Sequence, residues 1–297
     1  MTSIKEPGQA FHVPRLGDVD IRRPADAAAI ERVKKVLAIH GSCVIGHDEP
    51  PTNEQHIAFS EKFGPLERGK ATLVTGSETR VPYPEIIDQS NLDELGDIYA
   101  DDDKRLAYKR ANRLWHTDMS FFPVRATYSL LSGHSVPPAG GETEFIDMRA
   151  VWDALPEARK QGLEDLVVEH SFWHSRVLGG GPEPDVAELA KNPPARHAMV
   201  HVHEPSGRKS LYLASHAMGI LGWPREKARA LIGELMDFAT QPRFAFAHHW
   251  RRGDVLIWDN LATMHRATAF DDIRHRRELR RVTTLNIPLQ AAASTAR

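Results

Sequence analysis

The sequence predicts a mostly β protein with flanking helices, folded as a double-sheet jelly roll. Three features carry that expectation: several apolar runs of strand length, Gly- and Pro-rich turns between them, and only a few stretches with helical periodicity. No repeat or low-complexity segment divides the 297 residues, and β sandwiches and barrels of this length are often single domains, so one domain spanning 1–297 is expected.

The elements read in order. Residues 25–39 place Ile30, Val33, Val36 and Leu37 on one side of a helix, which Gly41 ends. Residues 42–45 read as a buried strand containing Cys43, the only cysteine, so no internal disulfide or thiolate metal cage can form. Thr52 with Gln55 fits a capping box opening a second helix, whose apolar face is Ile57, Ala58, Phe59 and Phe63. Residues 68–111, rich in Gly, Pro, Asp and Lys with weak periodicity, read as an active-site lid or insert. Strands are expected at 128–131, 143–146, 209–214, 254–258 and 280–285, with helices over 148–167 and 224–239.

The bulk composition narrows the function classes. The formal charge of −2, from 38 basic and 40 acidic side chains, gives no electrostatic footprint for nucleic acid or an anionic membrane. No stretch has the length and apolarity of a membrane span, and the first residues lack a signal peptide's apolar core; a cytoplasmic protein is expected.

Leu114-Trp115-His116-Thr117-Asp118 is the most informative segment. Read as a strand, it puts positions i and i+2 on one face, so His116 and Asp118 aim an imidazole nitrogen and a carboxylate oxygen at one point. His265, reached after Trp258-Asp259-Asn260, offers the third ligand a divalent ion needs. Two histidines and a carboxylate form a facial triad that leaves positions open for a co-substrate and O₂, and this N/O set suits iron(II) better than the sulfur-rich sites of structural zinc. His201-Val202-His203 and His248-His249 have tempting spacing but no matching carboxylate and later histidine; they read as packing, with His203 and His216 candidates for lining a substrate pocket. Farther on, Arg277, Leu279 and Arg281 would share a strand face, so two arginine forks could seize two carboxylates.

Trp115-His116-Thr117-Asp118, Gly140-Gly141-Glu142-Thr143-Glu144-Phe145, Asp147-Met148-Arg149-Ala150, Met264-His265-Arg266 and Arg276-Arg277-Glu278-Leu279-Arg280-Arg281 together resemble the taurine/2,4-dichlorophenoxyacetate family of iron(II)- and 2-oxoglutarate-dependent dioxygenases, on its phenoxyacetate side, over residues 53–284. The resemblance implies a double-stranded β-helix (jelly-roll, cupin-like) core, with His116, Asp118 and His265 as iron ligands. It implies Thr143 and Arg277 on the distal carboxylate of 2-oxoglutarate and Arg281 on the substrate's acid group. Asn112 falls where relatives place a substrate-contacting asparagine. Lys70 lies near a region where relatives use a basic residue, at a different spacing. Counting from His265 alone would select Arg276 and Arg280; matching the arginine block selects Arg277 and Arg281, with the extra residue absorbed in the loop 268–273.

The implied reaction hydroxylates a small anionic substrate of phenoxyacetate type, consuming O₂ and 2-oxoglutarate, releasing succinate and CO₂, and breaking the ether to a phenol and an oxo-acid. Alternatives are an alkylsulfonate or taurine dioxygenase, with Arg281 on the sulfonate, and a non-catalytic jelly-roll module that binds an acid or a metal. Relatives commonly form homo-oligomers.

Overall fold

Asp26 starts the first helix, α1 (Ala27–His40), by accepting the backbone N–H of Ala29, and Gly41 stops it by turning left-handed at φ 75°. Ala29, Ile30, Val33 and Leu37 form its buried face. Thr52 and Gln55 close a reciprocal capping box on α2 (Asn53–Ser60). This is a computed structural model, and it describes residues 12–287 apart from 70–79, 104 and 106–108. Lys70 and part of the 68–111 segment therefore lie outside the described residues.

The strands are β1 (Arg15–Leu16), β2 (Ser42–Gly46), β3 (Ile87–Asp88), β4 (Ala126–Ser135), β5 (Thr143–Asp147), β6 (Val167–His170), β7 (Ala195–Ala198), β8 (Val200–His203), β9 (Arg208–Leu211), β10 (Ala217–Ile220), β11 (Ala245–His248), β12 (Asp254–Asp259), β13 (Thr263–Ala267) and β14 (Glu278–Leu285). Six form one sheet in the order β1-β2-β12-β4-β14-β3, and a smaller sheet runs β11-β5-β13. Val44, Leu131, Leu256, Trp258 and Leu279 from the large sheet pack with Phe145 and Phe246 from the small one. Two sheets joined by a shared apolar layer make the expected jelly roll. The outer side of the large sheet takes α1, through Ile30, Val33 and Leu37 against Ile45, Leu130 and Ile257.

Two expectations need correction. The helix expected over 148–167 is broken: α3 (Met148–Ala154) ends at Leu155, α4 (Glu157–Lys160) is one turn, and β6 begins at Val167. Pro156 disfavours helical geometry at the residue before it and has no N–H to continue the ladder. The strand expected over 209–214 stops at Leu211. Further helices among the described residues are α5 (Phe172–Leu178), α6 (Val186–Lys191) and the amphipathic α7 (Arg225–Ala239), which opens after Pro224. No described helix is long and apolar enough to cross a membrane.

Several histidines are sealed into this framework uncharged. Burial pushes His56 and His170 from 6.5 down to about 3. In the unfolded chain each takes up a proton as pH falls through 6.5, while the folded protein does not until about 3, so stability is lost across that window. Each should cost about 2 kcal/mol at pH 5 relative to pH 7.5. Urea unfolding at the two pH values checks this: replacing His56 by Asn should flatten the pH dependence, and an unchanged slope would refute its contribution.

Candidate active site

One antiparallel backbone bridge assembles the centre of the site. His116 donates its N–H to the carbonyl of His265 at 2.9 Å, and His265 returns the bond at 2.7 Å. The segment 114–118 is not a ladder strand as expected; it is extended with this single bridge and turns at Asp118. Met119, buried at φ 58°, holds the left-handed geometry that makes the turn, an uncommon state for a side chain with a Cβ. The imidazole rings of His116 and His265 lie 4.2 Å apart, and ligand atoms of His116, Asp118 and His265 fall within 4.8 Å of one another. No other such cluster occurs among the described residues.

The donor atoms are oriented and in suitable charge states. His116 Nδ1 is 2.8 Å from the Leu114 carbonyl, which can only accept. That nitrogen therefore carries the proton and Nε2 keeps its lone pair for a metal. Burial holds both histidines below their ordinary values. Burial pushes the Asp118 carboxyl up, but Arg281, His265, His116 and the Ser129 hydroxyl outweigh it, hold it below its ordinary value and keep the carboxylate ionised. Ser129 donates to Asp118 Oδ2 at 2.7 Å. Asn260 donates to Ser129 Oγ at 3.0 Å and accepts both the Asp118 N–H at 3.2 Å and the Trp258 indole N–H at 3.0 Å. An N/O set with an ionised carboxylate and two neutral imidazoles, all buried, fits a divalent iron-type metal.

A cleft opens beside this cluster and is lined by His116, His265, Thr143, Arg277, Arg281 and Asn112, among others. Arg277 is buried, and burial pushes its guanidinium down to about 10, still charged at neutral pH. It donates to the Gly141 carbonyl from Nε at 3.2 Å and Nη2 at 3.1 Å, but no carboxylate lies within ion-pair distance among the described residues. Gly141 is needed there: φ is 72°, and a Cβ would come 3.2 Å from Arg277 Nε. Thr143 Oγ1 accepts the Trp250 indole N–H at 3.0 Å, which leaves its own proton free to donate. A buried, unneutralised guanidinium beside a free hydroxyl fits the distal carboxylate of 2-oxoglutarate.

The other arginines sort by strand face. Arg281 pairs with Asp118. Arg280 points away to Asn53 and Glu278, and Arg276 reaches outward to Asp97. The arginine block, not the count from His265, therefore identifies the cleft-facing pair. Asn112 reaches Gln89 at 3.1 Å from a short 3-10 turn, Ala111–Arg113.

The profile of the taurine catabolism dioxygenase TauD, TfdA family matches residues 3–283. The chain is 37% identical to an alpha-ketoglutarate-dependent 2,4-dichlorophenoxyacetate dioxygenase of Cupriavidus pinatubonensis, over 96% of its own length and 99% of the relative's. It is 40% identical to a protein of the same name from a Burkholderia species, over 88% and 86%. The chain belongs to the TauD/TfdA family. The crystal structure of AAD-2 in complex with Mn(II) and N-oxalylglycine superposes with a TM-score of 0.88 at 35% identity, covering 96% of this chain and 99% of that one. The protein is accordingly a 2-oxoglutarate-dependent dioxygenase, a class that consumes 2-oxoglutarate and O₂ and for which iron(II) is the expected metal.

The remaining histidines of interest are held elsewhere. His203 contacts Asp259 at 2.9 Å and Ser206 at 2.7 Å, His248 contacts Asp254 at 3.1 Å, and His249 is exposed against Glu142. His216 does reach the site, with its ring 6.2 Å from that of His116 and Nδ1 3.1 Å from Ser120 Oγ. Ser129 and Trp250 were not picked out from the sequence, and Asn260 stood there only within the Trp258-Asp259-Asn260 run, with no role of its own: each acts through a partner distant in the chain. Removing the Asn260 side chain should weaken iron(II) binding by about tenfold, the usual effect of losing a group that orients a ligand. Metal titration of Asn260→Ala against wild type tests this, and equal affinities in folded proteins would refute it.

Proposed function

We propose that His116, Asp118 and His265 hold iron(II), that Arg277 and Thr143 bind the distal carboxylate of 2-oxoglutarate, and that the substrate is a small aryloxyalkanoic acid met by Arg281 with Asn112. The observation that carries this reading is Arg277: a buried cation with no carboxylate in ion-pair contact among the described residues, on the wall of a cleft that also holds the metal-type cluster. A buried charge is costly unless a partner completes it, so a dianionic co-substrate is the natural complement. Relatives named for 2,4-dichlorophenoxyacetate and for (S)-phenoxypropionate support the acid and the aryl ether.

When bound, iron(II) with 2-oxoglutarate and O₂ supplies the oxidising power that hydroxylates a substrate C–H and releases succinate and CO₂. The chain's part is placement. Thr143 and Arg277 fix one end of the co-substrate, which orients its other end toward the histidines. Arg281 stands between Asp118 and the cleft, so its guanidinium can hold the metal ligand and a substrate acid group together. The buried setting keeps water from competing for these charges. Hydroxylation next to an ether oxygen gives a hemiacetal, which collapses to a phenol and an oxo-acid.

A succinate-release screen with iron(II), 2-oxoglutarate and panels of aryloxy acids and alkylsulfonates tests the substrate class. Aryloxy acids should stimulate succinate formation and yield phenols; stimulation by alkylsulfonates alone would overturn the assignment. In Arg281→Ala, KM for the aryloxy acid should rise at least about tenfold while 2-oxoglutarate binding is largely kept. His116→Ala should lose iron binding and turnover.

A further inference from the structure

Arg277 stands one residue before β14, where the sheet does not hold it. Its neighbour Glu278 opens the strand, and the pairing to β4 shifts register between Glu278 and Leu279. The loop behind it, from Thr268, has no helix or strand of its own. Something other than the ladder must fix the guanidinium's position.

Asn91 occupies that place. It is buried, and both ends of its amide are engaged with the loop: Nδ2 donates to the carbonyls of Asp272 at 2.7 Å and His275 at 2.9 Å, and Oδ1 accepts the Arg277 N–H at 2.8 Å. The Asn91 N–H donates to the Arg277 carbonyl at 3.2 Å, so Arg277 is gripped on both its backbone groups. The far side of the loop is pinned by Asp272, whose carboxylate accepts from Arg110 at 2.9 and 3.0 Å and from Arg113 at 2.7 Å. We propose that Asn91 is a positioning residue for Arg277, setting the anchor for the co-substrate's distal carboxylate and, through Asp272, tying it to the Arg110–Arg113 turn that carries Asn112. The proposal rests on the reading of Arg277 as that anchor. Only an amide meets the need, because two carbonyls require donors and the Arg277 N–H an acceptor. Displacement of a binding group by even a fraction of an ångström weakens the ligand it serves.

The test is anaerobic titration of the iron(II)-loaded protein with 2-oxoglutarate, read by the visible charge-transfer absorption of the chelate. It covers wild type, Asn91→Ala, Arg277→Ala and the double variant, with thermal melting of each. Asn91→Ala should weaken 2-oxoglutarate binding by about tenfold and leave iron(II) affinity within about twofold. In the Arg277→Ala background the same change should add less than about twofold, because the two residues act as one unit. Equal weakening in both backgrounds, or unchanged binding in a folded Asn91→Ala protein, overturns the positioning role. Should Asn91→Ala fail to fold, Asn91→Ser is measured instead against the same outcomes. Wild-type binding in Arg277→Ala would instead overturn the reading of Arg277, and this proposal with it.

Discussion

The site depends on the paired backbone bonds between His116 and His265. These residues lie on opposite sides of most of the β core in sequence, and a reciprocal N–H···O=C pair brings them face to face. Because the bridge is single, the chain is free to turn straight afterwards, through Met119, and to present Asp118 beside the two rings. A longer ladder would have continued the strand and carried the carboxylate past the meeting point. The large sheet supports the bridge from below: Trp258 packs 4.6 Å from the His265 ring and bonds Asn260, which in turn holds the Asp118 backbone and Ser129. The geometry of the His116–Asp118–His265 cluster is thus tied to the sandwich core through one asparagine.

The charge distribution follows the same logic. Asp118 is satisfied within the protein by Ser129 and Arg281. Arg277 donates to the Gly141 carbonyl but has no carboxylate in ion-pair contact among the described residues, so burying it is costly. Such a centre is prepared for an anion: its donors are already dry and aimed, so binding need not reorganise them. Two rigid contacts set that preparation, Gly141 beneath the guanidinium and Trp250 behind the Thr143 hydroxyl. Trp250 can lie there because Gly133 leaves room; a Cβ at that position would come 3.1 Å from the indole.

What could be read from the sequence was whatever local pattern determines. The capping box of α2, the Gly41 stop and the apolar face of α1 are local and were legible. The metal-type cluster was legible as a motif although the strand reasoned from at 114–118 does not exist; convergence of His116 and Asp118 comes from a turn, not from strand alternation. Arg277 and Arg281 were found because the arginine block outweighed loop counting, and the bulge at Glu278–Leu279 shows that strand register alone would not fix them. The 148–167 helix failed because a helical apolar pattern outweighed the break at Pro156. Strands β6, β7, β8, β10 and β11 are four residues each, too short for periodicity to declare. Asn91, Ser129 and Trp250 were beyond reach, and Asn260 was visible only as a motif residue without a role, since their roles exist only through partners that folding supplies.

Anomalous diffraction from crystals grown with Mn(II) in place of iron(II) tests the central claim most directly. The account predicts one strong peak per chain at bonding distance from His116 Nε2, a carboxylate oxygen of Asp118 and a ring nitrogen of His265. A fully occupied peak elsewhere, with those three side chains unligated, would contradict it.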